Sequence, residues 1–445
     1  MNKMISLQAP SSKSLSHRTL IGAALADGTS LVHKLLHSED IDHTRTILAA
    51  AGARFEDLPD GVLRVHGVSG KLAGAVPNAG SGRREALSCN VHESGTTCRL
   101  LTAVLAAGQG RFCLHGAPRM HQRPISTLVA ALQSLGATIS YEEQGGCPPI
   151  VIEANGLRGG MVSVALDESS QYLSGLLMAA PLCREPLIIK IGGTKSVSWP
   201  YIGLTLQVLD NFGIPFEAWG DEKGRHKIDW RAKRKARPGR PHFAMRPASY
   251  RSGNFIVEGD WSGASYFLAA GAVGKRPVRV TNLRSNSMQG DRFMLEILRS
   301  MGARVEEEAD QITVYPSELR GIEIDMGACP DLVPTLAALA AFATGDTLVS
   351  NVPHLRIKEC DRIQASVVSL RTCGIEAEER SDGLLVRGAV PRAAACFDSF
   401  GDHRIAMAAA VLGIRHGPIR VDKAEVVRKS FPTFWECWAK VLNIS

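Results

Sequence analysis

Five stretches share one pattern, an apolar run at helical spacing that ends in a glycine and gives way to a short strand: LAAAGARFE (48–56), LQSLGATIS (132–140), LDNFGIPFE (209–217), LRSMGARVE (298–306) and LRTCGIEAE (370–378). The glycine in each is placed to close the helix in the left-handed conformation. Gly52, Gly136, Gly213, Gly302 and Gly374 stand 84, 77, 89 and 72 residues apart. A repeat of about 80 residues follows.

A second helix type, rich in alanine, recurs in step with the first: SKSLSHRTLIGAALADG, SGTTCRLLTAVLAAG, SSQYLSGLLMAAPL, DWSGASYFLAAGAVG, DLVPTLAALAAFATG and DHRIAMAAAVLG. Each copy opens on a serine or aspartate suited to capping, at Ser12, Ser94, Ser169, Asp260, Asp331 and Asp402. Small alanines let helices approach closely, so these six should be the buried helices. Short apolar segments between them, such as LVHKLL, PLIIKI, VRVTNL and DTLVSNV, are bounded by Gly, Pro and Asp and read as strands. Six units divide as three and three, which predicts two similar α/β domains with a cleft between them, where pockets tend to form.

Length agrees with two domains, because 445 residues exceed the roughly 250–300 at which one hydrophobic core stops growing. Hydrophobic content of 45% and charged content of 21% are those of an ordinary globular chain. The N-terminal MNKMISLQAPSSKS lacks the apolar core of a signal peptide, and no run is long enough for a membrane span, so a cytoplasmic protein with no membrane partner is expected. Ten cysteines are scattered without Cys-x-x-Cys spacing, which points to reduced thiols and no metal framework. The net charge of +7 is concentrated in residues 221–251, with eleven Lys or Arg against three Asp or Glu. That tract is a solvated loop or, in the alternative reading, a nucleic-acid contact.

The helix starts carry more polar chemistry than capping needs. A cap requires one oxygen, yet these starts hold Lys13, Ser14 and Arg18; Thr96 and Arg99; Ser169, Ser170 and Gln171; Asp331; and Asp402, His403 and Arg404. The amphipathic helices add Arg119 and Arg123 in PRMHQRP, Ser198 and Tyr201 in SWPY, and Lys358, Glu359, Asp361 and Arg362 in IKECDR. Unpaired N–H groups and the positive end of a helix suit phosphate and carboxylate ligands. A single arginine at a helix start is ordinarily solvated or paired with a neighbouring carboxylate; repetition at equivalent places favours an anion site. A Walker A loop is excluded, since Lys13-Ser14 has no glycines upstream.

The motifs PSSKSLSHRTLIGAALADG, ESGTTCRLL, GAPRMHQRPI, SSQYLSGLLMAAP, VEGDWSGASYFLAA, NSMQGDR, IKECDR, GDHRIAMA and RKSFPTF, in this order over nearly the whole chain, resemble the 5-enolpyruvylshikimate-3-phosphate (EPSP) synthases. The resemblance implies two inside-out α/β barrel domains, each of three βαβαββ-type repeats, with the active site in the interdomain cleft. The chain would cross twice, near residues 10–12 and 257–259. Residues 1–11 with 258–445 would form a discontinuous domain and 12–257 an inserted one, carrying the basic insert at 221–251. The implied reaction moves the enolpyruvyl group of phosphoenolpyruvate to the 5-hydroxyl of shikimate 3-phosphate. It needs no cofactor and no metal, takes no nucleic acid, and is expected of a monomer.

Carried over by motif, Lys13, Gly95, Arg119, Gln171 and Lys429 should contact the phosphate of phosphoenolpyruvate, and Arg362 and Arg404 its carboxylate. Shikimate 3-phosphate should meet Ser14, Arg18, Ser169, Ser170, Gln171, Ser198, Tyr201, His354 and Lys358. Asp331 is expected at the 5-hydroxyl as general base and, from its place before DLVPTLAAL, as the cap of that helix; Glu359 is the proton shuttle at the methylene, and Lys13 attends the departing phosphate or shares the acid role. Three positions depart from the pattern: Glu93 stands where the family has Asn, Ser11 where Gly is common, and His354 where some members have Asn. A carboxylate at Glu93 should weaken binding of phosphoenolpyruvate and of glyphosate. The related enolpyruvyl transferase acting on UDP-N-acetylglucosamine is the alternative enzyme; it uses a loop cysteine, for which neither Cys113 nor Cys147 is well placed.

Overall fold

The computed structural model describes residues 4–75, 85–143, 145–220, 227–231, 242–394 and 396–442. Most of the basic tract at 221–251 therefore lies outside the described residues. The chain divides into two compact units, one made of Met1–Ser12 with Glu258–Ser445 and the other of Lys13–Val257.

Each repeat builds one small sheet by the same rule. In the second, strand Leu87–Asn90 runs parallel to Gln109–His115, which pairs antiparallel with Ile150–Asn155, and that strand pairs antiparallel with Thr138–Tyr141. An Ala-rich helix, Gly95–Ala106, makes the parallel crossover, and the amphipathic Ser126–Ser134 leads to the closing hairpin. Third and fifth repeats follow suit. The first and fourth borrow their opening strand from elsewhere in the chain. Asn254–Ile256 pairs parallel with Thr29–His33, and Ile5–Gln8 pairs parallel with Val278–Thr281. The sixth departs from the expected pattern: among the described residues its sheet has only two short strands, Phe397–Asp398 and Val421–Asp422.

The alanine-rich helices are interior on every side. Every residue of Trp261–Val273, Val333–Ala340 and His403–Leu412 is buried, and these three pack on one another inside the first unit. Helices apolar all round belong in a core, with the sheets outside them. In the second unit, Gly175 lets Gln171–Ala179 approach Gly95–Ala106 so closely that a Cβ on it would lie 2.9 Å from the Arg99 carbonyl oxygen. The five helix-closing glycines all have positive φ, between 70° and 115°, as their position in the pattern predicts.

The two chain passages lie side by side. Ser12 N–H donates to the Glu258 carbonyl at 2.8 Å and Asp260 N–H to the Pro10 carbonyl at 2.7 Å, with Ser11 and Gly259 bridged antiparallel. Gln289 locks the pair: its Nε2 donates to Glu258 Oε1 at 2.9 Å and to the Gly259 carbonyl at 2.7 Å, while its Oε1 accepts from Ser12 Oγ at 3.2 Å. A Cβ on Gly259 would overlap the Asn282 carbonyl oxygen. Gly259→Ala is therefore expected to lower stability by about 1–3 kcal/mol through overpacking, read as a reduced denaturant midpoint at unchanged slope.

Candidate functional site

The second unit holds three linked groups of polar residues. Lys13 opens helix Lys13–Leu25 directly after the passage, and its Nζ meets Asp40 Oδ2 at 3.1 Å. Behind it His17, wholly buried, shares a hydrogen bond of 2.9 Å with Thr44 Oγ1, which lies 2.7 Å from Thr97 Oγ1. Burial, with Lys13 and Arg18 nearby, pushes the His17 imidazole down to about 3 against the pull of Asp40, so it stays neutral. His17, Thr44 and Thr97 had no functional signal in the sequence beyond lying near motif residues.

Arg18 carries the second group and is 1% exposed. Its Nε donates to Thr205 Oγ1 at 2.8 Å, Nη1 to the Ser14 carbonyl at 2.8 Å, and Nη2 to Ser174 Oγ at 3.2 Å and the Tyr201 carbonyl at 3.4 Å. Every one of these partners is neutral, and no carboxylate pairs with it among the described residues. Burial lowers the guanidinium only to about 10, so at neutral pH it remains a cation. A buried charge without a counter-charge is costly, and an anionic ligand would offset that cost. Ser14 and Tyr201 thus meet Arg18 through their main chains. Ser198, at φ 53°, lies buried just before helix Pro200–Asn211.

The glycine turn is the third group. Ser94 caps helix Gly95–Ala106 by accepting from Thr97 N–H at 3.3 Å. A Cβ on Gly95 would lie 2.5 Å from Arg123 Nη2 and 2.6 Å from Arg99 Nη1, so two guanidiniums close directly over its α-carbon. Both are buried, Arg123 at 5% and Arg99 at 4%. Arg123 Nη1 donates to the Glu93 carbonyl at 3.0 Å, and Arg99 Nη2 to the Pro124 carbonyl at 3.0 Å. Gln171 Nε2 donates to Thr96 Oγ1 at 3.0 Å, and its N–H to Ser169 Oγ at 3.2 Å, which ties the start of helix Gln171–Ala179 to this turn. Ser170 is buried beside them.

The two arginines of PRMHQRP take different directions. Arg119 is half-exposed and donates to Gln122 Oε1 at 3.1 Å, whereas Arg123 is the arginine of PRMHQRP that reaches the glycine turn. The 3₁₀ turn Met120–Gln122, pinned by buried Met120, separates the two directions. Spacing in the sequence did not reveal which of the two would turn inward.

The first unit assembles a denser cluster around Arg362, the opening residue of helix Arg362–Thr372 and 2% exposed. Its Nε donates to Asp402 Oδ2 at 2.7 Å, Nη1 to Asp331 Oδ1 at 2.9 Å, and Nη2 to Glu359 Oε2 at 2.9 Å. Arg404 Nη2 donates to the other Asp331 oxygen at 2.7 Å, and Lys429 Nζ stands 3.4 Å from Glu359 Oε1. Asp402 is doubly used, since it also caps helix His403–Leu412 by accepting from Arg404 N–H at 2.8 Å. Lys358 and Glu359 follow the 3₁₀ turn Pro353–Ile357, in which His354 is buried.

Asp331 does not stand at the capping position that its place before DLVPTLAAL suggested. It sits in a 3₁₀ turn, Pro330–Leu332, and the helix after it begins at Val333 behind Leu332. Its carboxylate is instead divided between two guanidiniums. Burial works against its charge, but Arg404, Arg362 and Lys358 outweigh burial and hold the carboxyl well below the usual carboxylate range. Burial likewise opposes charge on Arg362, and Asp402, Glu359 and Asp331 overcome it.

A family model for EPSP synthase (3-phosphoshikimate 1-carboxyvinyltransferase) matches residues 4–438. The chain belongs to this family. A 3-phosphoshikimate 1-carboxyvinyltransferase of Syntrophobacter fumaroxidans is 39% identical over 444 residues, covering 98% of this chain and 96% of that one. The enzyme of the same name from Methanosphaerula palustris is 38% identical over 438 residues, with the same coverages. Among solved structures, EPSP synthase of Acinetobacter baumannii superimposes with a TM-score of 0.74 at 26% identity, covering 98% of this chain and 95% of that one. The chain is a transferase of aromatic biosynthesis that moves the enolpyruvyl group from phosphoenolpyruvate to shikimate 3-phosphate, and the UDP-N-acetylglucosamine alternative is not favoured. If Arg123 grips an anion over the glycine turn, Arg123→Lys raises KM for phosphoenolpyruvate at least about tenfold, as loss of a two-point anion contact would. Arg119→Lys should change it by less than about twofold, and steady-state kinetics of both variants decides between the two arginines.

Proposed function

We propose that the residues of the two units divide the reactants as follows. Phosphoenolpyruvate is held through its phosphate by Lys13, the Gly95 turn, Arg123, Gln171 and Lys429, and through its carboxylate by Arg362 and Arg404. Shikimate 3-phosphate is held by Ser14, Arg18, Ser169, Ser170, Ser198, Tyr201, His354 and Lys358. Two phosphates and two carboxylates have to be fixed together, and fixed cations with planar forks suit that task.

One observation carries the mechanism: Asp331 is shared between Arg362 and Arg404. In that state it is a poor base, because both its oxygens are taken by cations. A substrate carboxylate arriving at the same guanidiniums competes with Asp331 and frees it to accept the proton of the 5-hydroxyl. Base activation is thereby tied to phosphoenolpyruvate binding. The hydroxyl oxygen then attacks C2 of phosphoenolpyruvate, its proton passing to Asp331, while Glu359, protonated from solvent once its contacts to Arg362 and Lys429 open, delivers that proton to the methylene carbon. The tetrahedral adduct next returns a methyl proton to the Glu359 carboxylate as the C–O bond to phosphate breaks, and Lys13 meets the charge of the departing phosphate once Asp40 yields it.

Both residue sets come from one chain, so a monomer suffices. No helix among the described residues is long and apolar enough to cross a membrane. Against a nucleic-acid role for the basic tract, two of its described cations are already engaged, Lys227 with Glu217 at 2.8 Å and Arg231 with Asp210 at 2.7 Å.

In a phosphate-release assay with both substrates, Asp331→Ala should abolish turnover while shikimate 3-phosphate binding stays measurable by calorimetry; near-normal turnover would refute the assignment. Glu93→Asn should tighten both phosphoenolpyruvate and glyphosate by about three- to tenfold, as expected for removing one like charge near an anion site. Unchanged affinities would dispose of the repulsion.

A further inference from the structure

Behind Lys13 runs a row of hydroxyls that the reaction as described does not use. His17, on helix Lys13–Leu25, meets Thr44 Oγ1 on helix Glu39–Ala50, which lies 2.7 Å from Thr97 Oγ1 on helix Gly95–Ala106. Thr97 Oγ1 donates to Ser94 Oγ, the cap of its own helix, at 2.6 Å. Thr44 and Thr97 also stand 3.2 Å and 3.3 Å from one acceptor, the carbonyl of Asp40, whose carboxylate holds Lys13. His17, Thr44, Thr97 and Ser94 are all buried. The row thus joins the opening turns of three helices.

The imidazole decides how the protons run along it. His17 is neutral through burial and has one ring proton to place. Its Nε2 is shut in the core with no hydrogen-bond partner among the described residues. Orphaned N–H groups are rarer in cores than under-satisfied acceptors, so the proton belongs on Nδ1. Nδ1 then donates to Thr44, Thr44 to Thr97 and Thr97 to Ser94, with the Asp40 carbonyl as the longer branch of both threonine bonds. The opposite order would strand an N–H in the core.

We propose that His17 is a positioning residue for phosphoenolpyruvate binding: as the Nδ1–H tautomer it fixes the direction of the hydroxyl row, and the row holds the Lys13–Asp40 pair and the Gly95 turn in register. Ser94 Oγ receives the Thr97 N–H at 3.3 Å and the Thr97 hydroxyl at 2.6 Å, so one residue occupies both its lone pairs and the cap cannot turn away. The N–H groups of Gly95 and Thr96 ahead of it are the ones left for an anion. Arg18 lies on the same helix as His17 but bonds to Thr205, Ser174 and the carbonyls of Ser14 and Tyr201, outside the row. The effect of His17 should therefore be selective. The proposal rests on reading Lys13 and the Gly95 turn as the phosphate side of phosphoenolpyruvate.

The test measures KM for both substrates in His17→Leu, His17→Asn, Thr44→Val and the double variant His17→Leu/Thr44→Val. His17→Leu and Thr44→Val should each raise KM for phosphoenolpyruvate about fivefold or more, as loss of a buried donor does, while KM for shikimate 3-phosphate moves less than about twofold. Asparagine can place an amide N–H where Nδ1 stood, so His17→Asn should recover most of the loss. The double variant should be no worse than the poorer single one, because both changes cut the same row. Nitrogen NMR of the labelled full-length enzyme should find the His17 proton on Nδ1 and Nε2 bare. Should the His17 variants not fold, Thr44→Val and the wild-type spectrum carry the decision. A proton on Nε2, additive losses, or equal losses for both substrates overturn the proposal. Arg123→Lys with unchanged KM for phosphoenolpyruvate instead sinks the underlying site reading, and the spectrum still decides where the ring proton sits.

Discussion

A guanidinium withdrawn from water has to be surrounded by charge of the opposite sign, and Arg362 meets that demand with Asp331, Glu359 and Asp402. The desolvation cost is offset only when the fork is filled with good geometry, and three carboxylates within 2.9 Å fill it. Each of the three comes from a different turn of the fold. The cluster therefore depends on the fold holding the starts of separate repeats at fixed spacing, which the buried alanine helices accomplish. Loss of any one carboxylate leaves a buried cation underpaired; loss of the arginine leaves three anions crowded together.

The second unit solves the opposite problem. Arg18 is equally buried, yet it bonds to hydroxyls and carbonyls, so its charge is solvated without being neutralised. One unit thus keeps its cations balanced by internal carboxylates, and the other keeps a buried cation unmatched. Under the proposed assignment the former is opened by an anion, and the latter receives one. That difference fits a substrate carboxylate that displaces Asp331 in the first unit and a ligand anion that completes Arg18 in the second.

Periodicity made the repeats legible, because a closing glycine and an alanine face are local requirements of helix ending and helix packing. The five glycines at positive φ and the six buried helices follow from such local rules. What stayed hidden was long-range. Asn254–Ile256 and Ile5–Gln8 serve repeats far from them in sequence, and no local signal says which sheet a three- or four-residue strand will join. Which of Arg119 and Arg123 reaches the glycine turn was hidden for a related reason: the 3₁₀ turn with buried Met120 between them sends the two side chains in different directions. Asp331 read as a cap because an aspartate before a helix usually is one, and the competing demand of two guanidiniums is visible only in three dimensions.

The same crowding that makes the first unit stable also sets its chemistry. A carboxylate locked between two guanidiniums cannot act as a base, and one left loose would be protonated or solvated at the wrong moment. Under the proposed assignment, holding Asp331 on Arg362 and Arg404 makes its release conditional on the arrival of a substrate carboxylate. On that proposal the resting ion pairs belong to the catalytic cycle, and their strength sets how much of the substrate's binding free energy goes into freeing the base instead of appearing as affinity.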